Sequence, residues 1–165
     1  MRRALILAVT AALLPSILSA QPARTLDLRG PAGQHRTVSA ADLARMTRRE
    51  VRASAHEVTG TFAGVPLGDI LRLVGAPSGD SLRGPALASY VLVEAADGYR
   101  VTFALAEFNP GFTDRLILLA DTKDGAPLGE HDGPFQLVVP DEKRPARWVR
   151  QVTRISVFVL PKEPG

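Results

Sequence analysis

Short apolar runs broken by glycine, proline and aspartate turns fill the chain from Thr25 onward, which predicts many short strands and few helices. Thr25-Leu26-Asp27-Leu28 alternates as a strand does, and Gly30-Pro31-Ala32-Gly33 turns the chain after it. Ser39 with Asp42 three positions on is a capping-box arrangement, opening a short helix over 40–47 with Leu43 and Met46 on its buried face. Residues 51–58 alternate weakly and predict a strand. Over 64–75, Leu67, Ile70, Leu71 and Val74 recur at helical spacing on one face; Pro66 suits the first turn, Gly75 the left-handed position after the last, and Pro77 blocks continuation. Residues 78–85 read as a loop.

A hairpin is predicted next, with strands over 90–94 and 99–103 joined at Asp97-Gly98. A single helical turn follows over 104–108 before Asn109-Pro110-Gly111 breaks it, then a strand over 115–120 and a turn at Asp124-Gly125. Gly133-Pro134 opens an apolar strand that ends at Pro140, a basic segment spans 141–150, and a last strand covers 151–159. The sum is about six to eight short strands with two or three short helices, an α+β domain whose sheet is mixed and mainly antiparallel.

The first twenty residues read differently. Arg2-Arg3, the apolar run over 4–14, the break at Pro15-Ser16 and the small pair Ser19-Ala20 have the order of a secretory signal peptide cleaved after Ala20. An uncleaved membrane anchor is the alternative, against which the shortness of the apolar run argues. With 1–20 as signal and 21–24 as linker, one folded domain occupies 25–160, in a periplasmic or secreted protein. The formal charge of +3 then shrinks with the loss of Arg2 and Arg3, so the high pI does not indicate nucleic acid as a partner. The chain contains no cysteine, so it has neither disulfides nor a thiolate to ligate a metal.

Nucleophilic catalysis finds no support, since there is no Gly-x-Ser-x-Gly elbow and no cysteine. His35, His56 and His131 are far apart in sequence and form no paired metal motif. His131, in the polar run Gly129-Glu130-His131-Asp132, reads as a solvated loop histidine, and His56 beside Glu57 as either structural or a pocket residue. Asp121-Thr122-Lys123-Asp124-Gly125 is not a calcium loop, because Lys123 stands where an oxygen ligand is required. Gly60-Thr61-Phe62-Ala63-Gly64 lacks the spacing of a phosphate loop.

What remains is a cluster of cations. Lys143, Arg144, Arg147 and Arg150 surround Trp148, the one tryptophan, with Arg154 next. Arginine forks suit phosphate or carboxylate and an indole can stack on a flat heterocycle, so the segment is a candidate for an anionic, partly aromatic ligand. The plainer reading is a solvated basic loop with Trp148 tucked into the core.

Gly64-Val65-Pro66-Leu67 followed by Ile70-Leu71 and Gly75 resembles the helix segment of the sulfite-oxidase-type molybdopterin-binding domain. Asp97-Gly98-Tyr99, Leu119-Ala120, Asp124-Gly125-Ala126-Pro127-Leu128 and Gly133-Pro134 with Leu137-Val138-Val139-Pro140 are similar to further motifs of that family, in the same order. So are Arg147, Val149, Arg150, Thr153, Arg154, Ile155 and Val157. The resemblance covers about 25–159 and implies the mixed, mainly antiparallel, barrel-like sheet of that fold. It also implies a dithiolene pterin holding molybdenum, with a cysteine ligand in the segment before the helix. Here that segment, 56–63, has no cysteine. The resemblance therefore implies a pocket between a loop over 58–64 and the segment 143–150. Arg147 and Arg150 would meet the anion, Trp148 would give a stacking wall, Lys143 and Arg144 would lie close by, and His56, Thr59 and Thr61 would form the opposite wall. The sequence offers no catalytic residue and no metal ligand.

Two functions follow from this. One is an exported non-redox module binding a small anionic or pterin-like ligand and reporting to a partner such as a membrane sensor. The other is a molybdopterin-dependent oxidoreductase domain with a non-cysteine metal ligand, or one serving as a subunit beside a redox partner. A purely structural domain is the third possibility.

Overall fold

The computed structural model describes residues 25–55 and 58–160; the segments expected to be signal peptide and linker, and His56, lie outside them. In chain order the strands are β1 (Thr25–Arg29), β2 (His35–Ser39), β3 (Arg49–Ala55), β4 (Val58–Pro66), β5 (Tyr90–Ala95), β6 (Arg100–Ala104), β7 (Leu118–Lys123), β8 (Ala126–Pro127), β9 (Gln136–Val138) and β10 (Val152–Phe158). Two short α-helices, α1 (Ala40–Ala44) and α2 (Leu67–Arg72), and several 3-10 turns join them. One sheet runs β2-β1-β10-β5-β6 and the other β3-β4-β7-β8, with β9 also paired to β7. Only β1 and β10 pair in parallel among the described strands; the remaining pairs are antiparallel. No helix among the described residues is long and apolar enough to cross a membrane.

Several local signals act as their residue types dictate. Ser39 caps α1, its Oγ accepting from the Asp42 N–H at 3.1 Å while Asp42 Oδ2 accepts from the Ser39 N–H at 3.0 Å. Leu67, Ile70 and Leu71 are buried along α2, Val74 continues that face, and Gly75 closes the turn at φ 73°. The β5–β6 hairpin turns on Gly98 at φ 86°. Alternation puts Leu26, Leu28, Val91 and Val93 inside, where they join Ile155 and Val157 of β10. Both sheets and α2 contribute to one continuous apolar cluster.

Three expectations are corrected. Residues 58–64 are not a loop: β4 runs through them, pairing with β3 on one side and β7 on the other. The glycines that suggest a loop are there for close approach. A Cβ on Gly64 would stand 2.0 Å from the backbone oxygen of Leu119, and one on Gly60 would stand 2.6 Å from Lys123 Cε. For the same reason Gly64, Val65 and Pro66 finish a strand, and α2 starts only at Leu67. The strand expected over 115–120 lies at Leu118–Lys123 instead. Its polar half stays extended because Phe62 and Ala63 pair with Lys123 and Thr122, and the Asp124-Gly125 turn leads directly into β8.

Candidate functional site

The basic segment folds as a 3-10 turn, Pro145–Arg147, and sends its side chains in opposite directions. Trp148 turns inward and is 7% exposed. Its Nε1 donates to the Val139 carbonyl at 2.8 Å, and its ring meets Phe62 edge-on at 5.5 Å between centroids. Such edge-to-face pairs add to burial through the ring quadrupoles.

Arg147 points elsewhere. Its guanidinium lies 4.2 Å from the centroid of Phe103, donates to Glu107 Oε1 and to the Thr102 carbonyl at 3.3 Å each, and pairs with Glu142. Arg115 completes this network, donating from Nε to Asp141 Oδ2 at 2.6 Å, from Nη2 to Glu142 Oε1 at 3.2 Å, and to Glu107. Hydrogen bonding to the carboxylates, above all to Asp141, raises the Arg115 pKa, and the Arg115 guanidinium in turn holds the Asp141 carboxyl below its ordinary value. Glu107, Asp141 and Glu142 together outweigh the two arginines, so this network has no positive charge left to offer an anion. Arg147 is a cross-link between β6, the turn after it and the 141–147 segment.

A cavity of about 470 Å³ lies on the other side of that segment. Phe62, Trp148, Ala55 and Ala95 form its apolar surface; Lys123, His131 and Arg150 bring cations or a potential cation; Asp97, Asp132 and Tyr99 are on the lining with Pro145 and Ala146. Lys123 sits directly across from Phe62 in the β4–β7 register. Its stem crosses the bare face of Gly60 and its ammonium is 5.6 Å from the Phe62 ring centroid. The Asp124 carboxylate borders the same face, its Oδ2 3.3 Å from where a Gly60 Cβ would stand and its Oδ1 accepting from the Thr61 N–H at 2.8 Å. Arg150 Nη1 donates to His131 Nε2 at 2.8 Å and stands 4.0 Å from Asp132 Oδ1.

Of the residues expected from sequence, the cavity therefore gathers Trp148 and Arg150. Lys143 and Arg144 are exposed and do not line it, and Arg147 is turned away into its carboxylates. Thr59 and Thr61 are also turned away, because on β4 they alternate with Gly60 and Phe62 and so occupy the outer face. Thr59 instead shares a hydroxyl hydrogen bond with Ser54 at 2.6 Å. Lys123 and Tyr99 were missed by sequence reasoning. The available signal was the register: once β4 and β7 are paired antiparallel, Lys123 must share a face with Phe62.

The residues present do not fit a molybdenum centre of the kind the resemblance implies. The chain has no cysteine, and the described residues contain no group of three histidine, cysteine or acidic side chains able to hold a metal ion. Thiolate is the soft ligand that such a metal favours, and the wall formed by β3 and β4 offers Ala55 and Phe62 instead.

The sequence profile described as "Oxidoreductase molybdopterin binding domain" matches residues 15–163. The chain belongs to this family. Its fold is similar to the crystal structure of the sulfane dehydrogenase SoxCD from Paracoccus pantotrophus, with a TM-score of 0.64 at 20% identity over 86% of this chain. The match spans only 39% of that structure's chain, so it speaks for the fold alone. No curated protein sequence matches the chain. In the cavity of this α+β fold, Lys123 lies over Gly60 and no cysteine is present. Gly60→Ala is expected to push Lys123 off Phe62, because Cε is the atom that must move, and to leave the melting temperature within a few degrees of the parent. Affinity for an anionic probe such as 6-carboxypterin should fall about two- to five-fold, as for loss of one partly exposed ion contact. Calorimetric titration beside a thermal melt checks both.

Proposed function

We propose that this molybdopterin-binding-family domain acts, after export, as a non-redox binding module that holds a small anionic or pterin-like ligand in the cavity between β4, β7 and the 145–150 segment. The observation that carries the reading is a cavity furnished with Lys123 and Arg150 over a Phe62–Trp148 floor in a chain with no cysteine. A positive, partly apolar recess can recognise an anion on a flat body. In this reading a ligand-loaded module passes information to a membrane-bound or redox partner through its surface.

The test is to purify the chain from a molybdenum-replete host that exports it, measure molybdenum by elemental analysis, and melt the protein against 6-carboxypterin. The expected result is molybdenum far below one atom per chain together with a saturable rise in melting temperature. A ligand at about 100 times its Kd stabilises the folded state by about 2.7 kcal/mol. Family membership favours a second reading, a molybdopterin-dependent domain with a non-cysteine ligand or one acting beside a catalytic partner. Near-stoichiometric molybdenum would establish that reading and sink the first.

A further inference from the structure

Tyr99 is the unusual residue of the cavity. It is 48% exposed, yet each of its polar groups is tied down. Its N–H donates to Asp97 Oδ1 at 2.9 Å, its carbonyl accepts from the Ala95 N–H at 2.9 Å, and its hydroxyl donates to the Ala146 carbonyl at 2.7 Å. The last bond spans from the β5–β6 hairpin to the basic segment and holds the ring at the cavity's edge. An exposed aromatic normally keeps its rotamer freedom; one already fixed loses little entropy when a second ring stacks on it.

Lys123 is fixed in a comparable way. Gly60 leaves the space that its stem fills, and Phe62 lies beneath the ammonium. The second cation, Arg150, has Asp132 and His131 beside it, so its charge is partly shared within the protein. Asp97 and Asp132 also place negative charge on the lining, so the cavity is of mixed sign rather than a general sink for anions. A small inorganic oxyanion would meet one well-placed ammonium and gain nothing from Tyr99.

We propose that the ligand is a flat aromatic ring bearing an oxyanion, with Tyr99 as the stacking face and Lys123 as the charge that selects the anionic group. The inference rests on the binding reading above and narrows it to a chemical class and to two specificity-determining residues.

A matched set of probes separates the two levels. Inorganic phosphate, phenyl phosphate and 6-carboxypterin are titrated calorimetrically into the full exported chain, into Tyr99→Ala, Tyr99→Phe, Lys123→Ala and Lys123→Arg. The two aromatic anions should bind at least about ten-fold more tightly than phosphate, and Tyr99→Ala should remove most of that advantage, as loss of one stacking platform does. Tyr99→Phe keeps the ring and should lose much less. Lys123→Ala should weaken both aromatic anions, with Lys123→Arg restoring part of the loss. Thermal melts establish that each variant is folded, which the exposure of Tyr99 favours. If phosphate binds as well as phenyl phosphate and Tyr99→Ala changes neither, the inference falls while the binding module stands. If the aromatic anions bind but ignore both positions, the inference falls as well. If none of the three probes binds, both fall together.

Discussion

Trp148→Ala should lower the stability of this domain by about 3–5 kcal/mol, the range for removing a large aromatic from a core. The indole is almost wholly buried, touches Phe62 edge-on, and anchors the 145–150 segment through its bond to the Val139 carbonyl. Alanine would leave a void beneath the cavity and remove one of the two donors to the buried Val139 carbonyl, which would keep only the Glu142 N–H at 3.3 Å. Trp148→Phe separates the two contributions: it keeps most of the ring and removes the donor, and should cost about 1–3 kcal/mol. Urea unfolding followed by far-ultraviolet circular dichroism checks both, with a lower midpoint and an unchanged m-value expected. A variant of parental stability would mean that Trp148 does not hold the segment as described.

Arg115→Ala should be the second large loss. Its guanidinium, 20% exposed at the side chain, is shared by Glu107, Asp141 and Glu142. Removing it leaves three carboxylates facing Arg147 alone. Breaking a buried ion pair costs about 3–5 kcal/mol, and the remaining solvent contact here reduces the expectation to about 2–3 kcal/mol. That corresponds to about 5–10 °C in melting temperature. The loss should depend on pH with a definite sign. Asp141 is held below its ordinary value of 3.8, chiefly by the hydrogen bond from Arg115. Its contribution is therefore complete above that value, and disappears as pH falls through the lower value it has in the folded chain. Parent and variant should differ most near neutrality and converge as the solution is acidified below about pH 4. Melts from pH 7 to pH 3 measure this. A gap that stays constant with pH would refute the account of the network.

These two residues mark a boundary in what the chain's pattern conveys. Strand alternation around Leu26 and Leu28, the Ser39–Asp42 cap, the buried face of α2 and the turn at Gly98 depend on contacts a few residues apart, and each is legible in sequence. Gly60 and Gly64 carry an ambiguous message, since a glycine is equally at home in a loop and where two backbones press together. Only the pairing of β4 with β7 resolves it, through Lys123 Cε above Gly60 and the Leu119 carbonyl against Gly64.

The basic segment is the clearest example of the division. Its charges and its tryptophan are plain in sequence, as is the absence of cysteine, and together with the family motifs they indicate the fold class and leave the chain no thiolate of its own to offer a metal. Which cation faces a ligand is a different matter. Glu107, on the turn after β6, and Glu142, five residues before Arg147, draw that arginine away, while Lys123 and Tyr99 enter the cavity from β7 and from the start of the hairpin's return. Charge acts through space, and residues far apart in the chain become neighbours only when the sheets assemble. Composition could announce an excess of cations here; the tertiary structure alone decided which of them were already spoken for by carboxylates.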